Sequence, residues 1–371
     1  MNNIHIINKG YDSEVRMKVK IITKWSAIRL GIFISVLMLT GVIGGCMMIS
    51  MPGNSYAGPP VPFSDEEMRM SAALKSDVEY IAGTIGPRNF LNYGNLVLCA
   101  DFIEKSFKDA GYGPSRMDYV AEESLISSWR GAPKNDSLIY SNIEVELKGT
   151  KYPDEIIIVG AHYDSPPVDG CRAANDNGSG IAATLELAKA FAGKQQERTL
   201  RFVAFANEEP PYFWTPGMGS LVYAKSCKEK KENIVGMFSL ETIGYYSDDE
   251  GSQNYPYPMN YFYPSSGNFI AFVSDISSRS LLKKSVRAFR ENTKFPSEGA
   301  ALPGLVPGVG WSDHWSFWQM GYPGVMVTDT ATFRYPYYHT SKDDPERLDY
   351  DKMARVVKGM ELVLKDLAND K

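Results

Sequence analysis

Five short segments between residues 162 and 340 concentrate the side chains able to do chemistry. They are His162-Tyr163-Asp164, Asn175-Asp176-Asn177-Gly178, Asn207-Glu208-Glu209, Leu240-Glu241-Thr242 and Tyr338-His339-Thr340. Together they use two of the chain's four histidines. Two imidazoles and these carboxylates suffice to hold two divalent metals and leave one carboxylate as a base. Asp164 is spaced to accept the second ring N–H of His162 and fix its tautomer. Asp176 precedes a Gly-Ser-Gly turn and a helix pattern, where the helix dipole favours a carboxylate able to bridge two cations. Adjacent Glu208 and Glu209 can divide labour, one ligating and one taking a proton.

Such residues need elements that aim them at one place. Strand patterns fall over 141–147, 155–161, 199–206, 234–240 and 324–328, and helix patterns over 93–110, 178–192, 218–230, 275–291 and 349–367. A further helix is expected to start after Ser64, an N-cap followed by Asp65, Glu66 and Glu67, and to run toward Ile85. Apolar strands separated by helices predict an α/β fold with a largely parallel sheet covered on both faces. Each candidate segment follows an apolar run or opens a Gly-containing turn, as ligand-binding loops do in open α/β sheets. Two stretches break the alternation, 210–219 and 247–267, both rich in Pro, Gly and aromatic residues. Their nearness to Glu208, Glu209 and Glu241 marks them as expected pocket walls.

The front of the chain reads as a membrane signal. Residues 30–51 carry no charge and are long enough to cross a bilayer. Residues 1–29 form a basic tail with Lys18, Lys20, Lys24 and Arg29 ahead of that run, which predicts a cytoplasmic N-terminus and an extracytoplasmic body. Two outcomes compete: a single-pass signal anchor, or a lipoprotein signal cut before Cys46, since Ile43-Gly44-Gly45-Cys46 loosely resembles a lipobox. Residues 52–64 then read as a linker and 65–371 as the catalytic domain.

Composition sets the outer bounds. The 371 residues suffice for one large core, and a net charge of −5 argues against a nucleic-acid partner. The cysteines, Cys46, Cys99, Cys171 and Cys227, form no CxxC pair, so a cysteine-built zinc site is not expected. One disulfide within the body and simple buried thiols both fit their number.

The runs VGAHYDSPP, ANDNGSGIAATLELAKAF, FVAFANEE, SLETIGYYSD, SDHWSFW and YHTSKDDPERLDY, in that order, resemble the M28 family of zinc peptidases, of the aminopeptidase Y type. The resemblance covers about residues 60–370 and implies a three-layer α/β/α fold of the zinc-exopeptidase (phosphorylase/hydrolase-like) kind, with a central mixed sheet. It further implies two zinc ions per chain with a bridging water, acting on the N-terminal bond of peptides. Position by position, His162 and Glu241 would hold one zinc, Glu209 and His339 the other, and Asp176 both. Glu208 would be the general base and Asp164 the residue orienting His162. One departure is Glu241, where many members of the family have Asp. Asp313 matches a family segment and is expected to play a supporting polar role; His314 is expected to be structural.

Two other readings stand beside this one. Glutaminyl cyclases are relatives with a single zinc, and a tryptophan follows their Glu-Glu pair at a spacing like that of Trp214. A membrane-tethered, catalytically inert binding ectodomain is the third; it is disfavoured because every ligand position and the base hold competent residues. Specificity is expected from the aromatic loops that carry Phe213, Trp214 and Tyr245. The sequence gives no indication of oligomeric state.

Overall fold

The β-branched run 156–159 lies at the centre of strand β3 (Tyr152–His162), and its alternation defines the layers of the molecule. Ile157, Val159 and Ala161 enter one hydrophobic core, whereas Ile156 and Ile158 enter another on the opposite face. A computed structural model describes residues 24–132 and 138–369. Residues 1–23, which include most of the expected basic tail, lie outside that range.

β3 pairs in parallel with β4 (Arg198–Phe205) and β5 (Asn233–Leu240), and β5 pairs in parallel with β8 (Gly324–Thr328). Around these four, β1 (Ser115–Val120), β2 (Ile139–Leu147), β6 (Ile270–Ser274) and β7 (Ser297–Ala301) complete one sheet in the order β1-β2-β4-β3-β5-β8-β6-β7. β2 runs antiparallel to β4 and to β1, and β6 antiparallel to β8, so the sheet is mixed with a parallel centre. The larger core packs helices α2 (Asp65–Val78), α3 (Tyr93–Asp109), α4 (Gly180–Phe191), α6 (Arg279–Asn292) and α8 (Tyr350–Asn369) on one face. α5 (Gly219–Glu229) and α7 (His314–Gln319) cover the other. The result is the three-layer α/β/α sandwich expected.

Local chemistry explains where these elements begin. α2 opens with a capping box: Ser64 Oγ accepts the Glu67 N–H and Glu67 Oε2 accepts the Ser64 N–H. Its α-helical part stops at Val78 and continues as a wider π-type turn through Ile85. β1, β6 and β7 were not foreshadowed by a strand pattern. The Ser-Glu-Gly-Ala-Ala of β7 holds no β-branched residue, and pairing with β6 alone makes it a strand. The helix expected over 275–291 begins at Arg279, with Asp275 Oδ1 accepting the Ser278 N–H just before it.

The chain divides into two units, Met1–Met47 and Met48–Lys371. Helix α1 (Lys24–Ile49) is apolar, exposed along its length and long enough to cross a membrane, spanning about 39 Å at 1.5 Å per residue. In the second unit the segment after Pro52 is extended and tied down. Arg290 Nη1 donates to the carbonyls of Pro52 and Gly53, and Ser55 Oγ accepts the Ser297 N–H. All four cysteines are free, with Cys99, Cys171 and Cys227 buried.

Candidate metal centre

The carboxyl ends of β3, β4, β5 and β8 lie side by side, and the candidate segments leave from them. His162 is the last residue of β3, Glu241 follows β5 directly, and Glu208-Glu209 stand just past β4. Asp176 comes from the turn that opens α4. That turn packs tightly because residue 180 is glycine: a Cβ there would sit 2.2 Å from the carbonyl oxygen of Leu240. The missing side chain lets the Asp176 turn close on the end of β5, beside Glu241. Gly219 does the same at the start of α5, where a Cβ would lie 2.2 Å from the Ala206 carbonyl oxygen.

The residues converge. His162 Nε2 is 3.3 Å from Asp176 Oδ1 and 3.3 Å from Glu241 Oε2. His339 Nε2 is 3.0 Å from Asp176 Oδ2 and 3.1 Å from Glu209 Oε1. The two oxygens of Asp176 thus face two different imidazoles. His162, Asp176 and Glu241 form one group with metal-ligand spacing, and Asp176, Glu209 and His339 another; His162, Glu208 and Glu209 also qualify. Glu208 Oε2 is 3.9 Å from His162 Nε2. Glu241 reaches the focus despite its extra methylene, steadied by the Ser312 hydroxyl, which donates to its Oε2 at 2.7 Å.

Asp164 ties two segments together. Its Oδ1 lies 3.3 Å from His162 Nδ1, while Oδ1 and Oδ2 accept the backbone N–H groups of Glu208 and Glu209. One carboxylate therefore lies against the imidazole ring and accepts from both backbone N–H groups of the Glu-Glu pair.

The profile of Peptidase family M28 matches residues 142–363. The uncharacterized protein YfbL of Escherichia coli (strain K12) is 36% identical over 294 residues, covering 77% of this chain and 85% of its own. The chain belongs to peptidase family M28. A protein of Pyricularia oryzae named "Probable zinc metalloprotease" is 32% identical over 128 residues, 33% of this M28 chain and 24% of its own length. Among solved structures, a zinc aminopeptidase from Bacillus subtilis superposes with a TM-score of 0.63 at 16% identity, over 84% of this chain and 97% of its own. A glutaminyl cyclase from Fimbriiglobus ruber does so with a TM-score of 0.59 at 19% identity, over 84% and 97%. At these identities the superpositions establish the shared fold.

The M28 site fits zinc on its own atoms. His162 Nε2, Asp176 Oδ2, Glu209 Oε1 and His339 Nε2 are buried without a hydrogen-bond partner, an arrangement a bound cation would satisfy. Charge tells the same story. Burial pushes the Glu209 carboxyl up to about 8, with Asp176 adding and His339 opposing, and burial also raises Glu208 and Glu241. Burial disfavours the His339 imidazolium, yet Glu209 and Asp176 outweigh it and hold the ring up at about 11. His162 is raised likewise, chiefly by Glu241 and Glu208 working against burial. The pocket has more negative charge than its two imidazoles balance, which suits it to a divalent cation.

A further layer of residues escaped the sequence reading. Asp343 accepts the backbone N–H groups of Asn175 and Asp176, and Asp329 accepts from the Asn175 side chain and the Thr242 hydroxyl. Asn177 donates to the Leu240 carbonyl and accepts from the Gly180 N–H. Arg88, fully buried, donates to the carbonyls of Tyr163, Arg172 and Ala173, fixing both ends of the loop that leads from His162 to Asp176. Asp329 carried the same signal as Glu241, an acid directly after an apolar strand; Arg88 carried none. Asp313 is buried near His162 and pushed up to about 7 by burial. His314 turns away, with Nε2 2.8 Å from the Val309 carbonyl, and burial lowers it to about 4.

Of the two stretches expected as pocket walls, 247–267 lines the apolar cavity beside Glu241 and 210–219 does not. Trp214 stacks between Phe213 and Trp315, and Tyr245 packs on Tyr335. That cavity, which adjoins Glu241 and Tyr338, is lined by Met259 and Tyr263 of this stretch together with Val306 and Phe333, among others.

Proposed function

We propose that this M28 chain is a membrane-tethered aminopeptidase that cleaves the N-terminal bond of peptides with a pair of zinc ions. The observation that carries this reading is Asp176, whose two oxygens face His162 and His339 separately. In this reading His162 and Glu241 hold one ion, Glu209 and His339 the other, and Asp176 bridges them. Bound zinc supplies Lewis acidity toward a peptide carbonyl and makes a nearby water more acidic. Glu208 takes the water's proton and passes it to the departing amine. Its Oε2 lies 3.9 Å from His162 Nε2; burial and neighbouring carboxylates favour its protonated form, and zinc ions held beside it would favour the ionised one. Asp164 keeps His162 in the ligating tautomer while fixing the backbone of Glu208. The apolar cavity beside Glu241 suits a substrate with a bulky apolar N-terminal side chain.

In the same reading, residues 30–51 anchor the chain or end at a lipidated Cys46, residues 52–64 connect, and residues 65–371 act outside the cytoplasm. Glutaminyl cyclisation needs only one zinc; the second cluster of His162, Asp176 and Glu241 favours the peptidase. The test is an assay of the full chain in detergent on aminoacyl chromogenic substrates and on a peptide with N-terminal glutamine, with and without chelator. Free amino acids, chelator sensitivity and two zinc ions per chain are expected. Ammonia with pyroglutamate, or one zinc at full activity, would overturn it.

A further inference from the structure

Two loops in the catalytic unit have no charged residue: 255–264 (YPYPMNYFYP) and 301–311 (ALPGLVPGVGW). Their tips hold apolar side chains in solvent: Tyr257 is 82% exposed, Tyr261 71%, Phe262 57% and Leu305 96%. Surface loops of soluble domains rarely gather that much uncharged, aromatic surface in one place without a partner. Tyr and Trp rings beside apolar tips are what a lipid headgroup region accommodates, because one end of the ring is apolar and the other can stay wet.

The same loops meet the point where the chain leaves the unit. Met48 packs in one small hydrophobic cluster with Met259 and Tyr263 from the first loop and Leu302, Val306 and Val309 from the second. Met51 follows against Gly299 of β7, where a Cβ would approach its Cγ to 2.8 Å, and Arg290 and Ser297 clamp residues 52–55. Met48 is therefore not at the end of a loose tether. It is near the C-terminal end of the apolar helix α1 and stands two residues after Cys46. Whether α1 remains as an anchor or Cys46 carries the lipid, Met48 lies at the membrane surface, and the loops touching it lie there too.

We infer that loops 255–264 and 301–311 rest on the outer surface of the bilayer, with Tyr257, Tyr261, Phe262 and Leu305 in the headgroup region. This rests on the membrane attachment proposed above. The face is continuous with the apolar cavity beside Glu241, which Met259, Tyr263 and Val306 also line.

The test places the photoreactive residue p-benzoylphenylalanine at Tyr261, at Leu305 or, as a control, at Lys105. Lys105 is exposed on α3, which packs on β2 toward the other end of the sheet from β7. Each full-length variant is reconstituted in phosphatidylethanolamine–phosphatidylglycerol vesicles with a radiolabelled phospholipid, sedimented and irradiated. Positions 261 and 305 should crosslink to lipid about tenfold more than position 105, as side chains in the headgroup layer would. Sedimentation with equal, background crosslinking at all three positions would overturn the resting face and leave the attachment standing. A chain that stays in the supernatant would overturn both. The substituted positions are solvent-exposed, and retention of the parent melting temperature establishes that each variant is folded.

Discussion

His162 and His339 face the same aspartate from differently built supports. His162 ends a strand flanked on both sides by parallel neighbours, its side chain fully buried, with Asp164 behind the ring. His339 stands on a loop past β8, in the left-handed region with φ of 54°, and 31% of its side chain is exposed. The His162 half is held by the sheet; the other half is held by a loop whose backbone is strained at His339. Between them, Asp343 and Asn177 fix the Asp176 turn through its backbone and its contact with β5. The contrast teaches that one carboxylate can join a strand-held imidazole and a loop-held imidazole at a single focus, and the strand-held half is expected to bind metal first.

The most damaging way to break that contrast is to remove what the halves share. Asp176→Asn should empty both, abolishing measurable turnover and zinc retention together, read by metal analysis and a chromogenic assay. Next in size, Glu208→Gln should keep zinc in both halves and lower turnover by about 10²–10⁴-fold, the range of a general base; wild-type turnover would remove Glu208 from that role. Exchanging the imidazoles sharpens the comparison directly. His339→Gln should leave a folded chain with about one zinc, whereas His162→Gln should lose more metal and also melt lower, because Asp164 is left buried opposite a weaker partner. Equal losses in the two variants would show that the halves are not distinguishable. Smaller again, Asp343→Asn should weaken zinc binding about 10–100-fold through the Asp176 backbone alone.

The strand-held half was more legible in the sequence than the loop-held one. His162 and Glu241 sit where an apolar run ends, a pattern that follows from parallel strands presenting their carboxyl ends to ligands. His339 comes in a turn-rich stretch where no periodicity places it; its ligand reading depended on the family resemblance. The parallel strands were readable because residues buried on both faces leave continuous apolar runs. The edge strands β1 and β7 were not, since one is largely exposed and the other is made of Ser, Glu, Gly and Ala. Arg88 was invisible for a different reason: it acts through main-chain carbonyls of loops distant in sequence, which leave no residue-type signature.

The smallest expected effect concerns protons in the loop-held half. Glu209 is raised from 4.5 to about 8 in the folded chain and His339 from 6.5 to about 11. Between pH 6.5 and 8 the unfolded chain has released both protons while the metal-free fold retains them. The folded state then binds more protons than the unfolded state, so stability falls as pH rises. Asp176, lowered from 3.8, acts only at lower pH, and His314, lowered to about 4, acts below 6.5. The chelated protein should therefore melt a few degrees lower at pH 8 than at pH 6.5, since about 1 kcal/mol moves the melting temperature of a large domain by about 2–4 °C or less. Saturating zinc replaces those protons and should flatten the slope. His339→Gln should make it shallower without zinc, because the group with the widest window is gone, while Glu209, no longer opposed by that imidazolium, keeps its proton. A metal-free slope unchanged in that variant would place the proton reservoir in the strand-held half instead, around His162.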